Sequence, residues 1–259
     1  MLKKDSESYK KNNWTLEQGE LVKELEGFNS ETLPVIFSRN IRRAYCRVEI
    51  IKWDSKYDMR YELFNRLNTG GSPLAEQEIR NCIFRGQSNK FNEILTTLAS
   101  NNQFANIVNT SETKKSQLYN EELVLRFFSL YNDEWDKYET KNMSTYMTEY
   151  MKNVINNDID ISDTEKLFNR LVKLLFSLGN NNIFRFSNNQ FSTSLYDSIM
   201  VGIGNNIDIY EKEDSKYLLN KINKLKEDED FRRYTGSASS SKSRVRNRMK
   251  RAMEIFNLQ

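Results

Sequence analysis

Residues 62–86 read ELFNRLNTGGSPLAEQEIRNCIFRG, and this stretch contains the strongest turn signal in the chain. A helical pattern ends in Arg-Leu-Asn, the adjacent glycines Gly70 and Gly71 follow, and a second helix is expected over Glu76–Arg85. Glycines between helix ends let the backbone approach another group closely and expose its N–H groups. The stretch therefore predicts a glycine turn between two helices that is suited to hold a phosphate.

The polar side chains around this turn strengthen the phosphate interpretation. Arg66 carries a planar guanidinium that matches phosphate oxygens, and Asn68 and Thr69 add short polar groups suited to a phosphate or to the water shell of a metal. Glu78 and Arg80, on the helix that follows, are candidates for supporting the loop through ion pairs. The structural alternative is a tight turn with Arg66 in a surface ion pair, and pairing of Glu78 and Arg80 within or between helices.

Helical patterns dominate the chain on both sides of the turn. Trp14–Gly27 predicts a short helix, and Ser30 is a candidate cap for another. Further helices are expected over residues 89–100, 117–131, 142–155, 163–178, 192–203, 214–226 and 242–257. Cys46–Trp53 is the one convincing strand, and Phe184–Phe191 is a candidate extended segment. The fold class is therefore mainly α, with one or two strands followed by a helical bundle of roughly 150 residues.

The composition excludes several classes of chemistry. The sequence has no histidine, which excludes Ser-His-Asp and Cys-His nucleophile systems, His-ligated zinc and nucleases with a His base. Cys46 and Cys82 form no CxxC pattern, so a zinc ribbon or disulfide framework is excluded and a reducing compartment is expected. The polar first residues contain no signal peptide, and no apolar stretch approaches the roughly 20 residues that span a bilayer. We therefore expect a cytoplasmic protein without membrane or metal binding.

The positive charge is concentrated at the C-terminal end. Residues 231–259 contain eight basic residues and one acidic residue, a net charge of +7, which leaves −4 for the rest of a chain whose total is +3. Arg244, Arg248 and Arg251 fall on one face of the last expected helix, at spacings i, i+4 and i+7. Together with the hydroxyl-rich segment Gly236–Ser241, this face is a candidate for sequence-independent contact with a nucleic-acid backbone. The alternative is a solvated basic helix.

The segment around the glycine turn resembles the signature of the GmrSD-type restriction endonuclease N-terminal domain family, which is ParB/sulfiredoxin-like. The family pattern is close to F-x-R-L/I-N-T-G-G-x-x-L-x-x-Q-E-I/L-R-N. The chain matches it at Phe64, Arg66, Leu67, Asn68, Thr69, Gly70, Gly71, Leu74, Gln77, Glu78, Ile79, Arg80 and Asn81. One departure is Ala75, where the family often has Ser or Asn. Ala lacks the side-chain acceptor of a helix cap, which costs about 0.5–2 kcal/mol.

The resemblance implies a nucleotide-binding, ParB-like domain that acts in the restriction of modified phage DNA. In this family the R-L-N-T-G-G segment works with a D-G-Q-Q-R motif in binding and hydrolysing a nucleoside triphosphate, and an HNH nuclease domain is often attached. The present sequence contains neither the D-G-Q-Q-R motif nor the HNH domain. The resemblance therefore implies half of a pocket for a nucleoside triphosphate with Mg²⁺, formed by Arg66, Asn68, Thr69, Gly70 and Gly71.

The resulting expectation has two parts. Residues 1–110 would be the C-terminal half of a ParB-like nucleotide-binding α+β domain, and residues 111–259 a helical lobe that faces DNA. A separately encoded front half carrying D-G-Q-Q-R would be the partner, and the chain alone would carry no catalytic residue. The alternative is a non-enzymatic helical interaction module, or a decayed remnant of the family.

Overall fold

A computed structural model describes residues 15–16, 23–45, 63, 74–85, 89–132, 135–139, 142–236 and 238–257. The chain divides into two compact units, residues 1–54 and residues 55–259. The predicted strand Cys46–Trp53 and the glycine turn at Gly70 and Gly71 lie outside the described residues. The observed architecture therefore concerns one helix in the first unit and the helical body of the second.

The first unit contains a 3₁₀ turn at Lys23–Leu25 and helix α1, Val35–Arg43. Gly27 has a φ of +80°, a left-handed conformation that favours glycine, so the chain turns where the sequence predicts a stop. Helix α1 begins later than the Ser30 cap would give. Asn29 accepts the N–H groups of Glu31 and Thr32 at 2.9 Å, which forms a turn before Pro34 fixes the helix start.

The described residues of the second unit are organised as a series of α-helices, numbered here in chain order. They are α2 Glu76–Phe84, α3 Asn89–Ala99, α4 Asn102–Val108, α5 Glu112–Ser116, α6 Tyr119–Asn132, α7 Met143–Asn156, α8 Ser162–Ser177, α9 Thr193–Gly204, α10 Ile207–Tyr210, α11 Ser215–Glu227, α12 Glu229–Arg233 and α13 Lys242–Phe256. A 3₁₀ turn, Trp135–Lys137, precedes α7. The prediction of a mainly α fold is confirmed. Within the candidate extended segment Phe184–Phe191, one isolated antiparallel β-bridge joins Arg185 to Phe191.

Helix α9 is the centre of the second unit. Every residue from Ser194 to Gly204 is buried, and the helix packs against α6, α8 and α13. At Gly202 an added Cβ would lie 2.5 Å from Cδ2 of Phe256, so only glycine permits this approach between α9 and α13. Replacing Gly202 by a larger residue would push these helices apart.

An aromatic cluster joins helices from both sides of residue 110. The ring centroids of Phe104 in α4 and Phe168 in α8 are 5.1 Å apart, and those of Phe127 in α6 and Phe168 are 5.6 Å apart. Helices α3 and α4 therefore share one hydrophobic core with the helices that follow. The assignment of residues 1–110 to a nucleotide-binding domain stays a prediction.

Candidate nucleic-acid interface

The residues predicted to bind a nucleotide are not among those that the structure describes. Arg66, Asn68, Thr69, Gly70 and Gly71 lie in the undescribed segment 64–73. The structure does describe the helix that follows them, α2. The geometry of α2 therefore shows how the motif is attached to the helical body.

Glu78 closes the N-terminus of α2. Its Oε2 accepts the backbone N–H of Ala75 at 2.7 Å, which is half of a capping box. The methyl side chain of Ala75 cannot accept the second bond, as the sequence predicts, so the N-cap residue itself contributes no side-chain hydrogen bond. Glu78 thus stabilises the start of the helix that carries the second half of the motif.

Arg80 is fully buried at the contact of α2, α6 and α7. Its guanidinium donates to Gln77 Oε1 at 2.8 Å, to Ser144 Oγ at 3.0 Å and to Glu122 Oε2 at 3.0 Å. These contacts agree with the structural alternative for Arg80, which is pairing within and between helices. A buried guanidinium that is held by three helices fixes the position of α2 in the body.

A second set of buried polar contacts holds the same face of α2. Asn81 donates to Glu121 Oε2 at 2.7 Å and accepts from Gln77 Nε2 at 3.0 Å. The other carboxylate oxygen of Glu121 accepts from Thr96 Oγ1 of α3 at 3.0 Å. The second half of the motif thus anchors α2 to the helical body. Gln77, Arg80 and Asn81 are spaced i, i+3 and i+4, which places them on one face of the helix and is the sequence signal for this buried polar face.

The prediction that Arg248 faces outward is wrong. Its side chain is fully buried, and its Nη2 lies 2.9 Å from Oδ2 of Asp197, which is also fully buried. Arg126 pairs with the same carboxylate, with Nη2 at 2.8 Å from Oδ2. Position 248 shares the buried face of α13 with Val245 and Met249, so its charge turns inward toward α9.

The pKa values of the two buried arginines shift in opposite directions, although Asp197 raises both. Burial alone would lower the pKa of Arg126, but the charge and hydrogen bonds of Asp197 raise it overall. Burial lowers the pKa of Arg248, the Asp197 charge offsets part of this effect, and the positive charge of Arg126 lowers the pKa further. Because guanidinium stays protonated in proteins, the three groups form a buried cluster with a net charge of +1.

Arg251 and Arg244 are also engaged within the fold. Arg251 binds Asp228 bidentately, with Nε 3.0 Å from Oδ1 and Nη2 2.6 Å from Oδ2. Arg244 donates through Nη1 to the carbonyl oxygens of Arg233 at 3.1 Å and Thr235 at 3.3 Å. The arginines at 244, 248 and 251 therefore do not form one outward basic face.

Asp228→Asn should make stability less dependent on acid pH. Asp228 caps α12 by accepting Phe231 N–H at 2.8 Å, and its hydrogen bond with Arg251 holds the carboxyl pKa below its ordinary value. A depressed folded-state pKa adds stability above about pH 4, which is lost as the pH falls through that pKa. We expect Asp228→Asn to cost about 0.5–1 kcal/mol at pH 7. Urea unfolding from pH 7 to pH 3 should show this difference shrinking in acid, and a constant difference would contradict the assignment.

A polar cleft lies between the 185–194 segment and the residues around α12. It consists of two depressions of about 600 Å³ and about 500 Å³ that share Phe186, Ser187 and Arg232. The larger is lined mainly by residues with hydroxyl and amide side chains, and its described lining includes no acidic residue. The smaller adds Arg185 and Lys226, with Glu227 as its one acidic residue. This surface was not predicted, although Arg232 belongs to the basic C-terminal segment.

No protein-family model matches the chain. The search of curated proteins and the search of solved structures also found no match. Within the described ranges, no group of three or more Cys, Asp or Glu side chains is arranged to hold a metal ion. The described helices also include none with the length and apolar character that a bilayer span requires.

Proposed function

We propose that the chain is part of a GmrSD-like DNA-restriction protein, in which it supplies half of a nucleoside-triphosphate pocket and a helical lobe that faces DNA. The sequence resemblance at residues 64–81 is the basis of this proposal. The structural observation that supports it best is the burial of Arg80, because it ties the helix that carries the second half of the motif into the helical body.

A phosphate-binding loop must hold its backbone N–H groups in place before the ligand arrives. Helix α2 is fixed in position by two contacts of its buried side chains, Arg80 to Glu122 and Asn81 to Glu121. The motif then has two parts with different roles. Residues before Leu74 would contact the nucleotide, and those after it hold the loop in place.

A nucleotide titration tests this proposal. Isothermal calorimetry of the full chain with ATP or GTP and Mg²⁺, alone and with a co-encoded protein that carries D-G-Q-Q-R, should show saturable binding when the partner is present. Arg66→Ala should weaken that binding by about tenfold or more, because a hydrogen bond between charged groups contributes about 1.5–3 kcal/mol. Arg85→Ala, on the exposed C-terminal end of α2, is the matched control and should bind normally. The absence of binding in both conditions would refute the nucleotide role.

A non-enzymatic helical module is the second candidate function. It is favoured by the internal pairing of Arg248 and Arg251, which gives these arginines a structural role. Such a module would bind neither nucleotide nor DNA and would act through protein contacts alone. Nucleotide and DNA titrations on the same preparation separate the two candidates.

A further inference from the structure

We propose that the cleft shared by Phe186, Ser187 and Arg232 binds the phosphodiester backbone of a nucleic acid. This inference deepens the DNA-facing role in the proposed function and rests on it, but it assigns that role to different residues. The contact surface is the cleft between the 185–194 segment and α12, and not the face of α13 that carries Arg248.

The positive charges of the cleft lie apart from acidic side chains. Arg185, Lys226 and Arg232 line the cleft, and none lies within 4 Å of a carboxylate in the part of the chain that the structure describes. Arg248 and Arg251, in contrast, are matched to Asp197 and Asp228. Cations that the fold leaves without a counter-charge attract anions from solution, and nucleic-acid binding draws most of its affinity from such groups.

Each of the three cations is also held in place by neutral groups. Arg185 donates to the carbonyl oxygens of Asn109 at 2.8 Å and Asn189 at 3.0 Å, and Lys226 Nζ donates to that of Asn182 at 2.6 Å. The guanidinium of Arg232 lies 5.8 Å from the ring centroid of Phe186 and forms no hydrogen bond within the described ranges. Carbonyls and a ring orient these cations without cancelling their charge.

The residues that line the larger depression also suit a phosphodiester. Five of them carry a hydroxyl group: Ser187, Thr193, Ser194, Thr235 and Ser239. Hydroxyl and amide side chains, together with arginine and lysine, are the usual partners of phosphate and sugar oxygens. Among the described residues that line this depression, none has a carboxylate side chain, which would repel a phosphate.

The shape of the cleft bears on the kind of ligand it suits. The two depressions share Arg232; the smaller also contains Arg185 and Lys226, and the larger continues from Arg232 with hydroxyl-bearing and amide residues. This arrangement suits an extended anion with several phosphates better than one small phosphate ion. Because the groups contact backbone oxygens and not base edges, the binding should not depend on sequence.

The test compares two double variants of the full chain with matched charge changes. Arg232→Gln/Lys226→Gln removes two cleft charges, and the control Lys212→Gln/Lys216→Gln removes two exposed charges near the other end of α11. Lys216 lies ten residues before Lys226, about 15 Å along the helix. Fluorescence anisotropy would measure binding of a labelled 20-bp duplex and a labelled single strand from about 50 to 300 mM salt, with circular dichroism as the check on folding.

We expect the cleft variant to bind about tenfold more weakly at ~100 mM salt, and its slope of log affinity against log salt to fall by about two. The affinity of the control should stay within about twofold of the wild type.

Equal effects of the two variants, or an unchanged salt slope, would overturn the cleft assignment while leaving a DNA role elsewhere intact. Displacement of DNA by an equimolar amount of inorganic phosphate would overturn the claim of an extended ligand, and absence of any DNA binding would refute the DNA-facing role as well. The nucleotide titration is independent of all these outcomes.

Discussion

Replacing Asp197 by Asn should lower the free energy of unfolding by about 3–5 kcal/mol, because breaking a buried ion pair leaves the remaining charge without compensation. Asp197 is fully buried, and both Arg126 and Arg248 depend on its carboxylate. Asn keeps the volume of the side chain but removes the negative charge. Two positive charges would then remain in the contact of α6, α9 and α13.

Urea unfolding followed by circular dichroism would measure this loss. The matched control is Asp208→Asn, because Asp208 also pairs with an arginine, Arg170, but its side chain is 78% exposed. We expect the control to change stability by no more than about 1 kcal/mol. Adding Arg248→Met to Asp197→Asn should restore part of the loss, because it removes one of the two unpaired charges. Equal effects of the two single variants would show that the buried cluster is not a central part of the core.

The second large effect is expected for Arg80→Ala, with a loss of about 2–5 kcal/mol. The substitution leaves a cavity where a fully buried side chain was, and it removes the donor to Glu122, Gln77 and Ser144. Since these contacts hold α2 against α6 and α7, α2 should also open more readily. Nucleotide binding, if present, should weaken together with stability.

The control for this variant is again Arg85→Ala, which removes the same side chain from the exposed end of the same helix. A change within about 0.5 kcal/mol is expected there. Hydrogen–deuterium exchange of the peptide that covers Glu76–Phe84 would separate a local from a global effect. If Arg80→Ala unfolds like the wild type and α2 exchanges no faster, the role of Arg80 as the anchor of the motif is wrong.

The sequence predicts the long helices of the second unit well. Their periodic apolar faces place helices such as α8 and α13 within one residue of the observed bounds. The short helices α4, α5, α10 and α12 were not predicted, because four to seven residues complete too few turns to show a period. For α4, α5 and α12 the available signal was a capping residue: Asn101, Ser111 and Asp228 each accept a backbone N–H at the helix start.

The site residues were harder to predict than the helices because their roles depend on distant partners. Arg248 turns inward toward Asp197, which lies 51 residues earlier in the chain. A single Asp within the apolar helix α9 is the local signal that a buried cation must lie nearby. The cleft likewise brings together Arg185 and Arg232, which are separated in the sequence by helices α9 to α11. Helical periodicity contains no information about which distant residues line the same cleft.

Mapping the surface that DNA protects on the full chain would test the cleft assignment without altering the protein. Hydrogen–deuterium exchange with and without a 20-bp duplex, at ~50 mM salt, would locate that surface without any substitution. The cleft assignment predicts protection of residues 185–194 and of peptides that contain the other lining residues, which are Lys226, Glu227, Arg232, Thr235, Gly236 and Ser239. Protection confined to the exposed residues of α13, such as Lys242 and Lys250, or no protection in either cleft segment, would contradict it.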